Sequence, residues 1–135
     1  MENLSLINYE KTELPKDSDK LALNVDTGAF FVASKGCLSI YDSEENSSQN
    51  MIDYNGDSPI ISAEHLPELD SVAVVSQAGE IYICDLGGFG FERVPLSTLI
   101  PDHQTLSNAV WNPNQTVCIL IDSSISKAYR ELISK

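Results

Sequence analysis

A pattern of short apolar strands recurs about every 43 residues, and this period restricts the possible folds more than any other feature of the sequence. AFFVA (29–33) is followed by a Ser-Lys-Gly turn and then by CLSIYD (37–42). SVAVVS (71–76) is followed by a Gln-Ala-Gly turn and then by EIYICDL (80–86). Strands with period-two alternation on both sides of a glycine-containing turn predict a β-hairpin in each place.

The two hairpins align with each other at a constant offset. Gly36 aligns with Gly79 and Leu38 aligns with Ile81, each 43 positions later. TVCILID (116–122) supplies a third copy of the first strand of the hairpin. Repeats of about 40–45 residues made of short strands are typical of β-propellers of the WD type, in which each repeat forms a blade of four antiparallel strands.

Each hairpin is accompanied by further short strands, as a blade requires. The strands predicted before the hairpins are KLALNV (20–25), PIISAEHL (59–66) and LSNAVWN (106–112). Outer strands are predicted at MIDY (51–54) and ERVPL (92–96). The predicted fold class is therefore all-β, built from antiparallel four-stranded propeller blades.

The repeats divide the chain into three blades, roughly residues 1–55, 56–100 and 101–135. Closed propellers have about 4–8 blades, so the prediction is an incomplete propeller: the start of a longer one, a truncated one, or a piece that completes its ring with a partner. We expect self-association through the open blade edges. The final segment, SKAYRELISK (126–135), fits either a short helix or a strand.

Four residues are predicted to have structural roles. Trp111, the only tryptophan, precedes an Asn-Pro-Asn turn, and we expect it to pack at the rim of a blade. Pro113 fixes φ and has no N–H to donate, which favours a turn there. Gly36 and Gly79 are predicted to allow the two hairpin turns.

The charge balance and the cysteines exclude several classes of function. There are 20 acidic and 8 basic residues, giving a net charge of −12. Such a surface repels phosphate groups, so we expect no direct contact with nucleic acid and no association with membranes. Cys37, Cys84 and Cys118 lie far apart without metal-binding spacing, which predicts buried, reduced thiols in a cytosolic or nuclear protein.

No constellation in the sequence predicts catalysis. His65 and His103 are the only histidines, and neither has partners at the spacing of metal ligands. GGFG (87–90) lacks the Lys-Ser/Thr and the helix of a phosphate-binding loop, so it is predicted to be a turn between blades. We therefore expect no catalytic, cofactor-binding or metal-binding residue and no cofactor. A small enzyme or metal protein is the alternative, and it requires a histidine to converge with acidic residues.

Three stretches resemble the start of the largest subunit of the Elongator complex, a scaffold that opens with a WD-type propeller. The opening MENLSL (1–6) is similar to the short M-x-N-L start of that family. SAEHLPELDSVAVVSQAGEIYICDL (62–86) looks like its second blade, and LSNAVWNPNQTVCILI (106–121) looks like the beginning of the next one. The chain departs from the family in length, because the family's remaining blades, second propeller, helical arm and dimerisation region are absent.

The resemblance implies a non-catalytic scaffold that acts in the modification of wobble uridines in transfer RNA. It implies that the partners are other Elongator subunits, including the catalytic subunit, which uses radical-SAM chemistry and acetyl-CoA. It also implies a cytoplasmic location with some nuclear presence. A second resemblance stays open: ELPKDSDKLALNVDTGAFFVASKGCLSIYD (13–42) is similar to the first blade of cytoplasmic-face nucleoporin propellers, which bind an RNA helicase in mRNA export.

Overall fold

Three antiparallel β-sheets follow one another along the chain in the computed structural model. We call these sheets the first, second and third blades. The structure describes residues 5–6, 11, 13–14, 18–41, 48–94, 106–112, 117–122 and 127–132.

The first and second blades each have four strands that pair in sequential order. The first blade consists of β1 (Ser18–Leu23), β2 (Phe30–Ser34), β3 (Cys37–Tyr41) and β4 (Ser48–Asp53). The second blade consists of β5 (Ile60–Leu66), β6 (Ser71–Ser76), β7 (Ile81–Asp85) and β8 (Phe91–Val94). A short 3₁₀ turn, Pro67–Leu69, joins β5 to β6. The predicted fold class, all-β with antiparallel four-stranded sheets, is confirmed.

The third blade has three strands within the described residues. They are β9 (Asn108–Trp111), β10 (Val117–Asp122) and β11 (Lys127–Leu132), and β10 pairs with both of the others. The final segment therefore contains a strand, which decides between the two alternatives that its sequence left open.

The first strand of each blade lies beside the first strand of the next. β1 contacts β5, and β5 contacts β9. A carboxylate bridges each of these contacts. Asp19 accepts a hydrogen bond from the Ile60 N–H at 3.1 Å, and Glu64 accepts one from the Trp111 N–H at 3.2 Å. The blades are therefore joined along their innermost strands, as the blades of a propeller are around its axis.

Two apolar clusters fill the spaces between the blades. The cluster between the first and second blades includes Phe31, Ala33, Leu38, Ile52, Val72, Val74, Tyr82 and Cys84. The cluster between the second and third blades includes Ala73, Val75, Ile81, Ile83, Ala109, Trp111, Cys118 and Leu120. Successive residues of a strand point to opposite faces, so β6 supplies both clusters in turn. Burying one large aliphatic side chain in such a cluster contributes about 1.5–3 kcal/mol.

The aligned repeats occupy corresponding places in the fold. Leu38 of β3 faces the second blade, and Ile81 of β7 faces the third. The two hairpins nevertheless differ in turn length. Ala33 pairs with Leu38, whereas Val75 pairs with Ile81, so the second turn is one residue longer. Corresponding residues are therefore 43 positions apart in the second strands of the hairpins and 42 positions apart in the first strands.

The position predicted for the GGFG segment (87–90) was wrong. It was expected to connect two blades, but it lies between β7 and β8 of the second blade. Glycine-rich composition indicates that the chain turns here. It does not distinguish a turn within a sheet from a connection between sheets, because both need the same backbone freedom.

The packing of β9 leads to a test with two neighbouring residues. Trp111 is 6% exposed and belongs to the cluster between the second and third blades, whereas Val110 is 52% exposed on the opposite face. We expect Trp111→Ala to lower the free energy of unfolding by about 3–5 kcal/mol, as large-to-small core substitutions do. Val110→Ala should change it by less than about 0.5 kcal/mol. Urea unfolding of both variants measures the difference, and equal losses would show that Trp111 does not pack between blades.

Candidate functional site

The two aligned glycines stand in different backbone conformations. Gly79 has a φ of 90° and donates its N–H to the Ser76 carbonyl at 3.0 Å, closing the turn between β6 and β7. Gly36 lies outside the left-handed region, and a Cβ there would be 3.5 Å from the Gly56 carbonyl oxygen, an ordinary contact. The Gly36 carbonyl accepts the N–H groups of Tyr54 and Asn55, both at 3.1 Å. Any residue type has that carbonyl, so only Gly79 needs to be glycine.

Trp111 is the last residue of β9, and its side chain lies between the second and third blades. Its indole Nε1 is buried and has no hydrogen-bond partner among the described residues. Its backbone N–H binds the Glu64 carboxylate. Burial raises the pKa of Glu64, and the hydrogen bond from Trp111 partly opposes that rise. Pro113, the other residue predicted for this region, lies outside the described residues.

The histidine that the structure describes lies at the seam between the first and second blades. The His65 ring, on β5, stacks on the Phe31 ring of β2 with 5.6 Å between centroids and 22° between planes. Within the described ranges, no three His, Cys, Asp or Glu side chains come together in a way that could hold a metal ion. His103 lies outside these ranges. The stacking on Phe31 gives His65 a packing role.

The cysteines are held in a weakly reactive state. Cys84 and Cys118 are buried and Cys37 is partly exposed, and no disulfide joins the three. Burial raises the pKa of Cys84 to about 12. Burial, followed by the nearby Asp53 carboxylate, also raises the pKa of Cys37. Since the thiolate is the reactive form of cysteine, neither thiol is activated for nucleophilic attack at neutral pH.

A pair of tyrosines crosses the seam between the first and second blades. The rings of Tyr54 and Tyr82 stack with 4.5 Å between centroids. The Tyr54 hydroxyl contacts the carbonyl oxygens of Ser34 and Cys37, on either side of the turn between β2 and β3. Burial is the main cause that raises the pKa of Tyr82 to about 12, and it raises that of Tyr54 further. Both phenols are therefore neutral at physiological pH and serve to join the blades.

The outermost faces of the blade stack carry exposed apolar side chains. On the first blade, Ala22 points into the seam, while Leu21 and Leu23 point away from it and are 60% and 51% exposed. On the third blade, Val110 is exposed in the same way. We call Leu21 and Leu23 the outer face of the first blade. The sequence predicted open edges without naming these leucines, although their alternation around Ala22 is a signal that could have found them.

Sequence comparisons give no match to a family model or to a curated protein. Comparison with solved structures gives several matches. The dihydro-heme d1 dehydrogenase NirN in complex with DHE matches with a TM-score of 0.64 and 13% identity, covering 87% of this chain and 26% of that one. The C-terminal WD40 domain of Sif2 matches with a TM-score of 0.64 and 15% identity, covering 86% of this chain and 34% of that one.

The β-propeller domain of Cps50 (Swd1) from Myceliophteria thermophila matches with a TM-score of 0.59 and 14% identity, covering 85% of this chain and 41% of that one. The fold is that of a WD-type β-propeller region. The chain spans 26% to 41% of the length of these three structures. Identities this low show a shared fold alone, so the enzyme name of one neighbour says nothing about chemistry in this chain. No helix long and apolar enough to cross a membrane occurs in the part of the chain that the structure describes.

The two glycines provide a matched pair of substitutions. Gly79→Ala places a Cβ on a backbone with φ of 90°, so we expect a loss of about 1–2 kcal/mol in the free energy of unfolding. Gly36→Ala should be neutral or stabilising by up to about 1 kcal/mol, because alanine restricts the unfolded chain. Thermal and urea unfolding of the two variants test this difference. Similar losses in both would contradict the different backbone conformations.

Proposed function

We propose that this chain is a non-catalytic scaffold that binds other proteins. The observation that carries the proposal is the outer face of the first blade, where Leu21 and Leu23 expose apolar surface of the kind that blades bury against one another. Exposed apolar surface on an otherwise folded domain marks sites of protein interaction. The WD-type propeller fold supports the same proposal, because repeats of this kind present extended binding surfaces.

We further propose that the protein acts as the largest Elongator subunit does, in the modification of wobble uridines in transfer RNA. The resemblance of its opening residues and of segments 62–86 and 106–121 supports this proposal. Its partners would be the other Elongator subunits, including the catalytic one, in the cytoplasm and to some extent in the nucleus. The net charge of −12 fits contact with RNA through those partners and not through this acidic segment.

Affinity purification tests the proposed partners. A tagged chain expressed in cells of its own organism should recover Elongator subunits, including the catalytic one, as identified by mass spectrometry. The double variant Leu21→Ser, Leu23→Ser should recover less of them, while Lys20→Ser, on the same strand, should recover as much as the unmodified chain. Recovery of nuclear-pore proteins in place of Elongator subunits would favour the nucleoporin-like alternative, and equal recovery by all three proteins would exclude the outer face.

We also propose that the isolated chain self-associates through the same leucines, because an uncovered blade face favours contact with another apolar surface. Sedimentation velocity should give an average mass that exceeds 14.8 kDa and rises with concentration. The double serine variant should stay closer to the monomer mass. A monomer at every concentration, with a sharp two-state unfolding transition, would contradict self-association.

A further inference from the structure

The innermost strands of the three blades point one side chain each toward the preceding blade. Leu23, His65 and Trp111 occupy this position in β1, β5 and β9, as the ladder registers show. His65 stacks on Phe31 of the first blade, and Trp111 is buried against the second blade. No blade precedes the first one among the residues that the structure describes, and Leu23 is 51% exposed. Leu23 therefore belongs to one side of a seam whose other side is missing.

The third blade carries the other side of such a seam. The position that receives the side chain of the following blade is Phe31 in the first blade, Ala73 in the second and Ile119 in the third. Phe31 and Ala73 are 2% and 0% exposed, because the following blade covers them. Ile119 is partly exposed, and its neighbour on β9, Val110, is 52% exposed. We call Val110 and Ile119 the outer face of the third blade.

We propose that two copies of this chain close head to tail into a ring of six blades. The outer face of the first blade in each copy packs on the outer face of the third blade in the other copy. Leu23 of one copy then rests on Ile119 of the other, as His65 rests on Phe31 within the chain. Closed propellers have about 4–8 blades, and of all multiples of three blades only six lies in this range. Head-to-tail contacts of this kind end in a ring when the rotation closes.

The junction between copies should be weaker than the seams within the chain. Asp19 and Glu64 bridge those seams by hydrogen bonds, whereas the four residues of β9 include no acidic side chain. Val32, which pairs with Leu21, is already buried within one copy, so the first blade contributes chiefly β1. The net charge of −12 on each copy adds a repulsion, which salt screens. We therefore expect a reversible dimer.

This inference rests on the self-association proposed above and makes it specific. It names the surface that meets Leu21 and Leu23, and it fixes the number of copies at two. The alternative is contact between the leucines of two copies, which leaves the third blade uncovered. Assembly of the purified chain tests the head-to-tail contact, whereas affinity purification tests the assignment to Elongator. The failure of one proposal can therefore be told from the failure of the other.

Sedimentation velocity over a range of concentrations, in about 0.15 M salt to screen the charges, tests the assembly. The mass of the unmodified chain should rise from 14.8 kDa and level off at twice that value. Val110→Asp should weaken the dimer by about tenfold or more, because it buries a carboxylate in the junction. Gln77→Asp is the matched control, since it adds the same charge at an exposed position in the turn between β6 and β7. This control should dimerise within about twofold of the unmodified chain.

Mixing two deficient variants separates head-to-tail contact from contact between leucines. Val110→Asp keeps the outer face of the first blade intact, and the double variant Leu21→Ser, Leu23→Ser keeps that of the third. Neither should dimerise alone, but together they should form a heterodimer with one junction. Fluorescein on the N-terminus of one variant allows its sedimentation to be followed in the mixture. Under contact between leucines, the double serine variant has nothing to offer and mixing restores no association.

Circular dichroism checks that each variant is folded, and Val110→Ser replaces Val110→Asp if the carboxylate prevents folding. Three results would overturn the proposal. The first is equal dimerisation of Val110→Asp and Gln77→Asp, together with no association in the mixture. The second is a mass that continues to rise beyond two copies, which indicates an open chain of molecules. The third is a monomer at every concentration.

Discussion

The structure depends on the need to cover a sheet that is apolar on both of its faces. All six residues of β6 are buried, and its four apolar residues alternate between the clusters on either side of the second blade. Such a sheet has no solvent face, so it is stable only between two neighbours. The two seams, the stacking of the blades and the apolar side chains left at the outer faces of the stack all follow from this requirement.

Apolar packing is not directional, and polar contacts add directional bonds between one blade and the next. At each seam a carboxylate of one innermost strand accepts a backbone N–H from the following innermost strand, Asp19 from Ile60 and Glu64 from Trp111. A carboxylate loses hydration when it is buried, and the raised pKa of Glu64 reflects that loss. The hydrogen bond from the Trp111 N–H partly compensates for the burial of the Glu64 carboxylate.

Much of the fold could be predicted because strands and tight turns depend on local sequence. The alternation in SVAVVS gave a strand whose limits match β6, and the 43-residue period gave the succession of blades. Other features depend on how distant parts of the chain pair. Gly36 and Gly79 align in the sequence, yet only the second has a positive φ, because their turns differ by one residue. The hydrogen bond from the Leu86 N–H to the Asp70 carbonyl also escaped prediction, because these residues become neighbours only when the turns of one blade meet.

The burial of Cys84 has a consequence for how the motion of the protein can be followed. Its thiol lies in the seam between the first and second blades, and burial raises its pKa to about 12. An alkylating reagent must reach the sulfur atom and react with its thiolate form. In the closed seam the Cys84 sulfur is buried and its thiol stays protonated. Modification of Cys84 then proceeds only through moments when the blades separate, so its rate reports the opening of that seam. Cys84 is therefore a native probe of the opening of this seam, and no cysteine has to be introduced to measure it.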